Sequence, residues 1–220
     1  MFLGHFGLAF AAKRAAPRTS LGMLLLGAQF SDLLWPVLLL TGVEQVRIQQ
    51  GDTPFLDPVF VAYPYSHSLL TQCVFGGLLA LVYFTLSRNA RGALIVGLLV
   101  PSHWFLDWLV HVPDLPLYPG AVDKHGFGIW QSLPLTLACE FGLFGAGLAI
   151  YLATTRALDR TGSWALAAFV ALLVLLYVGT LFSGPPPSAQ VLAWSALSLW
   201  LLPLWLHWSD RHRVPRVRPH

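Results

Sequence analysis

Charge is scarce in this chain. Only 10% of its 220 residues are Asp, Glu, Lys or Arg, against about 25% in soluble domains. So little polar surface cannot cover a water-facing globule, which excludes a cytosolic enzyme and an intrinsically disordered chain. Basic residues slightly outnumber acidic ones, 13 to 10, but they fall in short scattered clusters, which excludes a nucleic-acid-binding surface. Cysteine is nearly absent. Cys73 and Cys139 both lie inside long apolar runs, so they form no disulfide framework and read as small buried hydrophobes. Internal repeats, inverted half-sequences and low-complexity tracts are missing too. What fills the space is apolar: 56% hydrophobic residues and a mean hydropathy of +0.64.

About 20 mainly apolar residues cross a bilayer as a helix. Six stretches have that length: 20–41, 66–87, 92–111, 130–153, 162–183 and 188–208. None alternates with period two, so a barrel is excluded and the fold class is an all-α polytopic membrane bundle of about six transmembrane helices. With six spans, Lys13, Arg14, Arg18, Arg88, Arg91, Arg156, Arg160, Arg211, Arg213, Arg216 and Arg218 share one side, leaving Arg47 and Lys124 on the other. The positive-inside rule then predicts a bacterial inner (cytoplasmic) membrane protein with both termini cytoplasmic. The opening MFLGHFGLAFAA is too short to span, and its positive charges follow the apolar stretch rather than precede it, unlike a secretory signal. It reads as a retained half-helix, lying at the interface or dipping into the bundle and turning back near Pro17. The connections 42–65 and 112–129, with Gly51, Pro54, Pro58, Pro64, Pro113, Pro116 and Pro119, read as long structureless loops over a site. Tyr63, Tyr65, Tyr118 and Trp130 suit an outer aromatic belt.

Ionisable residues inside spans cost about 2.5–3.5 kcal/mol each on insertion scales and mark function by default. Span one holds Gln29 and Asp32, span two begins at His67 and carries Gln72, span three holds His103, Asp107 and His111, and span four holds Glu140. Span five has none and span six only His207. Residues 1–155 therefore read as the polar-site helices of a single membrane domain, and 156–220 as apolar scaffold with a basic tail. His103, Asp107 and His111 recur at i, i+4 and i+8 and share one helix face. Imidazole and carboxylate on one stripe are ordinary ligands of zinc or another first-row divalent ion. Pro101 predicts a kink beside them, with Ser102 available to the loosened Gly97 carbonyl. At 1.5 Å per residue, Asp32 and His103 lie about 18 Å from the basic side, Asp107 about 24 Å, His67 about 30 Å and His5 about 12 Å. Each residue also has a plainer role. His67 can simply start a helix after an N-cap at Ser66, and His103 and Asp107 can neutralise one another. Asp32 can bond Gln29 and the turn at Pro36, His5 and His111 can sit at an interface, and Glu140 can be a neutral, hydrogen-bonded acid.

Gly4-His5 at the start, Asp32 in the first span, His67-Ser68, and Ser102-His103 followed by Asp107 together resemble the LexA-regulated inner-membrane metal-dependent hydrolases of the YdjM-like family. The family's pattern runs as G-H, L-P-D-x-D-H, H-R-G-x-T-H-S and G-x-x-S-H-x-x-x-D, and the correspondence covers residues 1–125. The resemblance implies metal ligation by those His and Asp residues. It departs from the pattern at Leu34 and Trp35, which stand where the family has Asp and His, and at 61–65, which replace the H-R-G element.

The expected activity is a membrane-embedded hydrolase acting on a lipid-like ester or phosphoester. One divalent ion, Zn²⁺ by preference, is held by His67, His103 and Asp107, with Asp32 as fourth ligand or general base, Glu140 as an alternative base, and His5 and His111 as further candidate ligands. The competing expectations are a proton-coupled permease using Asp32, Asp107, Glu140 and the histidines, a haem b protein using His67 and His103, and a structural membrane subunit.

Overall fold

The computed structural model describes residues 1–48 and 58–216; Gly51, Pro54, Arg218 and His220 lie outside them. The helices are α1 (Leu3–Ala15), α2 (Leu21–Ala28), α3 (Phe30–Leu40), α4 (Leu69–Ser87), α5 (Ala90–Val110), α6 (Leu133–Thr154), α7 (Arg160–Thr180), α8 (Ala189–Leu197) and α9 (Leu201–Arg211). A 3-10 turn at Ser198–Trp200 joins α8 to α9. Among the described residues, α4, α5, α6, α7 and the continuous stretch Ala189–Arg211 are each long and apolar enough to cross a membrane, and the bent pair α2–α3 supplies a sixth span. The chain is a helical membrane bundle. Its exposed side chains at Leu81, Leu86, Leu94, Leu98, Leu175 and Leu204 are those of a surface facing hydrocarbon.

α1 is the central post. Thirteen residues rise only about 20 Å, too little to span, and Leu3, Phe6 and Phe10 are fully buried. The half-helix dips into the bundle and does not lie at the interface. It crosses α6 at Gly7 and Gly147, where a Cβ on either glycine would collide with the other helix's backbone. Small residues permit the close helix approach that drives packing in lipid. At its far end Lys13 is buried and donates to Asp210 Oδ2 (2.5 Å) and to the Thr19 carbonyl (2.8 Å). Asp210 also accepts from Tyr151 Oη and the Leu21 amide. This pair ties α1 and α2 to α6 and α9. Asp210 lies just past the predicted end of span six, which is why that span appeared free of carboxylates.

Span one is not one straight helix. Its two halves meet at 58°, and the break falls at Gln29 (φ −106°, ψ 11°) rather than at Pro36, which α3 accommodates within its own length. α5, by contrast, continues through Pro101. Ser102 bonds the Leu99 carbonyl, not that of Gly97, and the Trp104 amide donates to Gln72 Oε1 on α4. The outer connections are more ordered than expected. Gln45–Ile48 (β1) pairs antiparallel with Pro58–Ala62 (β2), and Leu115–Pro116 (β3) with Lys124–His125 (β4). At the basic end Thr155–Ala157 (β5) pairs with Arg213–Pro215 (β6), which fastens the tail to the α6–α7 linker.

Asp210→Ala should destabilise the fold by about 3–5 kcal/mol, because it strands a buried ammonium. The double variant Lys13→Met/Asp210→Leu should recover most of that loss. Chemical denaturation in detergent, followed by circular dichroism, measures both.

Candidate metal centre

Asp107 is the hub. It projects from α5 beside His103 and is 2% exposed. Its Oδ1 lies 3.0 Å from His5 Nε2 and 3.9 Å from His111 Nε2, and accepts from the Met1 α-amino group at 2.5 Å. Its Oδ2 lies 3.1 Å from His103 Nε2 and 3.9 Å from His67 Nε2. Asp32, at the start of α3, brings Oδ1 to 3.4 Å from His67 Nε2 and 3.6 Å from His103 Nε2. Two triplets have mutually close ligand atoms: His5, His103 and Asp107; and Asp32, His67 and His103. The structure thus gathers Asp32, His67, His103 and Asp107 as the sequence predicts, and places His5 and His111 against the same carboxylate.

Donor counting fixes how the rings present themselves. His103 Nδ1 meets the Ala28 carbonyl at 2.9 Å. A carbonyl only accepts, so Nδ1 carries a proton, and in the neutral ring Nε2 holds the lone pair. That carbonyl is available because α2 ends there, at the break before Gln29. His67 Nδ1 meets Ser66 Oγ at 2.7 Å, while the Ser66 hydroxyl spends its proton on Glu44 Oε2 at 2.6 Å. His67 Nδ1 is therefore the donor, and its lone pair too lies on Nε2. Glu44 is itself held by the Tyr65 and Ser66 amides. His111 Nδ1 donates to Asp114 at 3.0 Å and turns Nε2 toward Asp107. His5 differs, since its Nε2 donates to Asp107 and its ring stacks flat on His103, with centroids 3.7 Å apart.

Lone pairs of His67 and His103 thus face the carboxylate oxygens of Asp32 and Asp107, and His103 Nε2 has no hydrogen-bond partner. Facing lone pairs repel unless a cation or an added proton lies between them. Four atoms bound about 2.1 Å from one tetrahedral centre lie about 3.4 Å apart. The four Nε2-to-carboxylate separations, 3.1–3.9 Å, bracket that spacing. Imidazoles whose far nitrogens are pinned by a carbonyl or a carboxylate-backed hydroxyl are how proteins orient metal-ligating histidines. The residues present fit a divalent ion of the zinc type.

A cavity of about 240 Å³ opens onto this cluster. Phe2, Trp35, Tyr63, Trp130 and Tyr177 supply aromatic walls, and Asp32, His67, Asp107, His111 and Glu140 supply the polar end. Asp32 has the most exposed side chain of the cluster, at 26%. Burial and the neighbouring Asp114 carboxylate hold the Tyr63 phenol well above its ordinary pKa, so it stays a proton donor. Tyr177 and Thr180 belong to α7, so the cavity draws on a span that carries no acid or imidazole. Tyr63 and Trp130 line the cavity instead of forming an outer belt; Tyr65 and Tyr118 are exposed.

Glu140 stands apart from the ligand cluster. Its two oxygens accept the Phe2 amide (2.8 Å) and the Gly4 amide (2.9 Å), satisfying orphan donors at the positive end of α1. It caps the first turn of α1, the helix that carries His5, and lines the same cavity as the cluster. Ser66 is not the helix cap; Ser68 caps α4 through the Thr71 amide. Apart from the His111/Asp114 spacing within a turn, no residue pattern announces Glu44, Ser66, Asp114 and the Ala28 carbonyl as supports of the cluster.

Glu140→Ala should leave two amides at the start of α1 unpaired, at about 1–3 kcal/mol each. Hydrogen–deuterium exchange should then accelerate selectively over the first turn of α1. The chain matches no family model, no curated protein and no solved structure in the comparisons made.

Proposed function

We propose that this chain is a membrane-embedded, metal-dependent hydrolase acting on a lipid-like ester or phosphoester. The observation that carries the reading is the convergence of the His67 and His103 lone pairs on the Asp32 and Asp107 carboxylates, each ring fixed from behind. His67, His103, Asp107 and Asp32 would hold the ion. When bound, a divalent cation of this type lowers the pKa of water to about 7 and so supplies hydroxide at neutral pH. Asp32 lines the cavity and can take up a proton released there. Glu44 and Asp114 keep His67 and His111 in the ligating tautomer. Tyr63 offers a phenolic hydrogen bond to an oxygen of the substrate, and the aromatic walls accept an apolar chain.

The YdjM-like resemblance supports the same assignment, because its His and Asp positions, His5, Asp32, His67, His103 and Asp107, are linked in a chain of side-chain contacts within 4 Å. Leu34 and Trp35 remove two potential ligands from the cluster, which favours a small ion count. The location that fits is a bacterial inner membrane, with the basic end and both termini cytoplasmic. One feature favours a second reading. The break at Gln29 is a discontinuous span beside a polar site, as in transporters, so a proton-coupled permease would use the same carboxylates and imidazoles.

Protein expressed with ample zinc and purified in detergent should carry near-stoichiometric metal by elemental analysis. The His103→Ala/Asp107→Ala variant should carry none. Glu44→Ala should weaken metal affinity by about 10–100-fold while leaving the fold intact. Metal retention should fall as pH drops below about 6.5, since protons then compete for the imidazole lone pairs. A metal-free wild type would overturn the hydrolase; if the same protein drove pH-coupled solute uptake in proteoliposomes, the permease would replace it.

A further inference from the structure

A second polar constellation lies at the opposite, basic end of the bundle. There α6 and α7 part on either side of the β5 linker and leave a cleft of about 430 Å³. Leu148 and Leu152 form one wall, and Leu166, Ala167 and Val170 the other. Arg156, Arg213 and Arg216 line its mouth.

Arg213 and Arg216 are held in place, Arg156 is exposed, and none of the three has a carboxylate partner among the described residues. Arg213 is 9% exposed, and its guanidinium donates to Thr155 Oγ1 (3.1 Å) and the Gly162 carbonyl (2.9 Å) while lying over the Tyr151 ring. Arg216 donates from Nε to the Thr155 carbonyl at 3.0 Å. Every one of these acceptors is uncharged. The nearby carboxylates are committed elsewhere: Asp159 to His212 and the Gly162 amide, Asp210 to Lys13, Tyr151 and the Leu21 amide. Among the described residues no ion pair joins an arginine to a carboxylate. A partly desolvated guanidinium with only neutral partners is costly. Arg213 is such a group, and together with the exposed Arg156 and Arg216 beside it and the apolar walls below, it makes the cleft complementary to an anion that carries hydrocarbon.

We propose that this cleft binds one anionic diacyl phospholipid from the adjoining leaflet, with its phosphate between Arg156 and Arg216 and an acyl chain along the α6–α7 walls. Basic pockets between spans recognise such headgroups by charge. A free phosphate would satisfy the arginines but would gain nothing from Leu148, Leu152, Leu166 and Val170. Leu152 remains 43% exposed at the cleft, as expected of a residue that meets a lipid chain.

The full chain in nanodiscs of equimolar phosphatidylglycerol and phosphatidylcholine, released for native mass spectrometry, provides the test. Wild type should retain phosphatidylglycerol in preference to phosphatidylcholine. Arg156→Gln/Arg216→Gln should lower that preference about 25-fold, roughly fivefold for each cation at an anionic surface. Ala167→Trp, which fills the cleft and leaves the arginines in place, should abolish the retained lipid. Circular dichroism melts should match wild type for both variants. Absence of a preference in wild type, or an unchanged preference in either variant, would overturn the proposal. Displacement of the retained lipid by millimolar glycerol 3-phosphate would also overturn it, in favour of a free anion.

Discussion

A carboxylate inside a bilayer must be answered locally, and the answer organises this molecule. Asp107 is almost completely buried on α5, where no bulk water can solvate its charge. The compensating groups come from several parts of the chain: the Met1 α-amino group and His5 on α1, His103 one turn back on α5, and His67 from the loop before α4. Each is held by a further group, so the demand spreads outward. His67 leans on Ser66 and Glu44, His111 on Asp114, and α1 on Glu140. The basic end repeats the principle with opposite sign, where Lys13 is met by Asp210 but the arginines of the α6–α7 cleft are met only by neutral oxygens.

The irregular parts of the fold serve this arrangement. A continuous first span would keep the Ala28 carbonyl inside its own hydrogen-bond ladder. The break at Gln29 releases it to His103 and swings Asp32 toward His67. α5 continues through Pro101, and the Trp104 amide bonds Gln72 across to α4, which couples the two helices beside the cluster. In membrane proteins non-helical backbone is tolerated only where it is buried in protein or lines a cavity, and the break at Gln29 is buried beside the site.

Much of this was legible in the sequence because lipid imposes strict rules. Helix number and class follow from run length and missing charge, and the site follows from the expense of His and Asp in apolar runs. The i, i+4 spacing of His103 and Asp107 placed them together without any tertiary information. What stayed hidden depends on geometry across long separations. The capping of α1 by Glu140 stayed hidden because its partners are backbone amides 136 and 138 residues away, which have no signature in side-chain chemistry. Glu44 lay in a stretch read as a loop, and its role appears only once Ser66 turns toward it. Span one looked continuous because hydropathy does not register a 58° bend, and Asp210 was hidden by a boundary placed two residues early.

The close crossing of Gly7 and Gly147 carries a consequence for biogenesis. α1 is made first, yet the groove that receives it belongs to a helix completed only at residue 154. Until then His5 has no docked scaffold, and the Asp107 cluster lacks one of its walls. Assembly of the centre is therefore a late event in the life of the nascent chain, and a ribosome-bound fragment ending before α6 holds all of the proposed ligands but not the groove on α6 that receives α1.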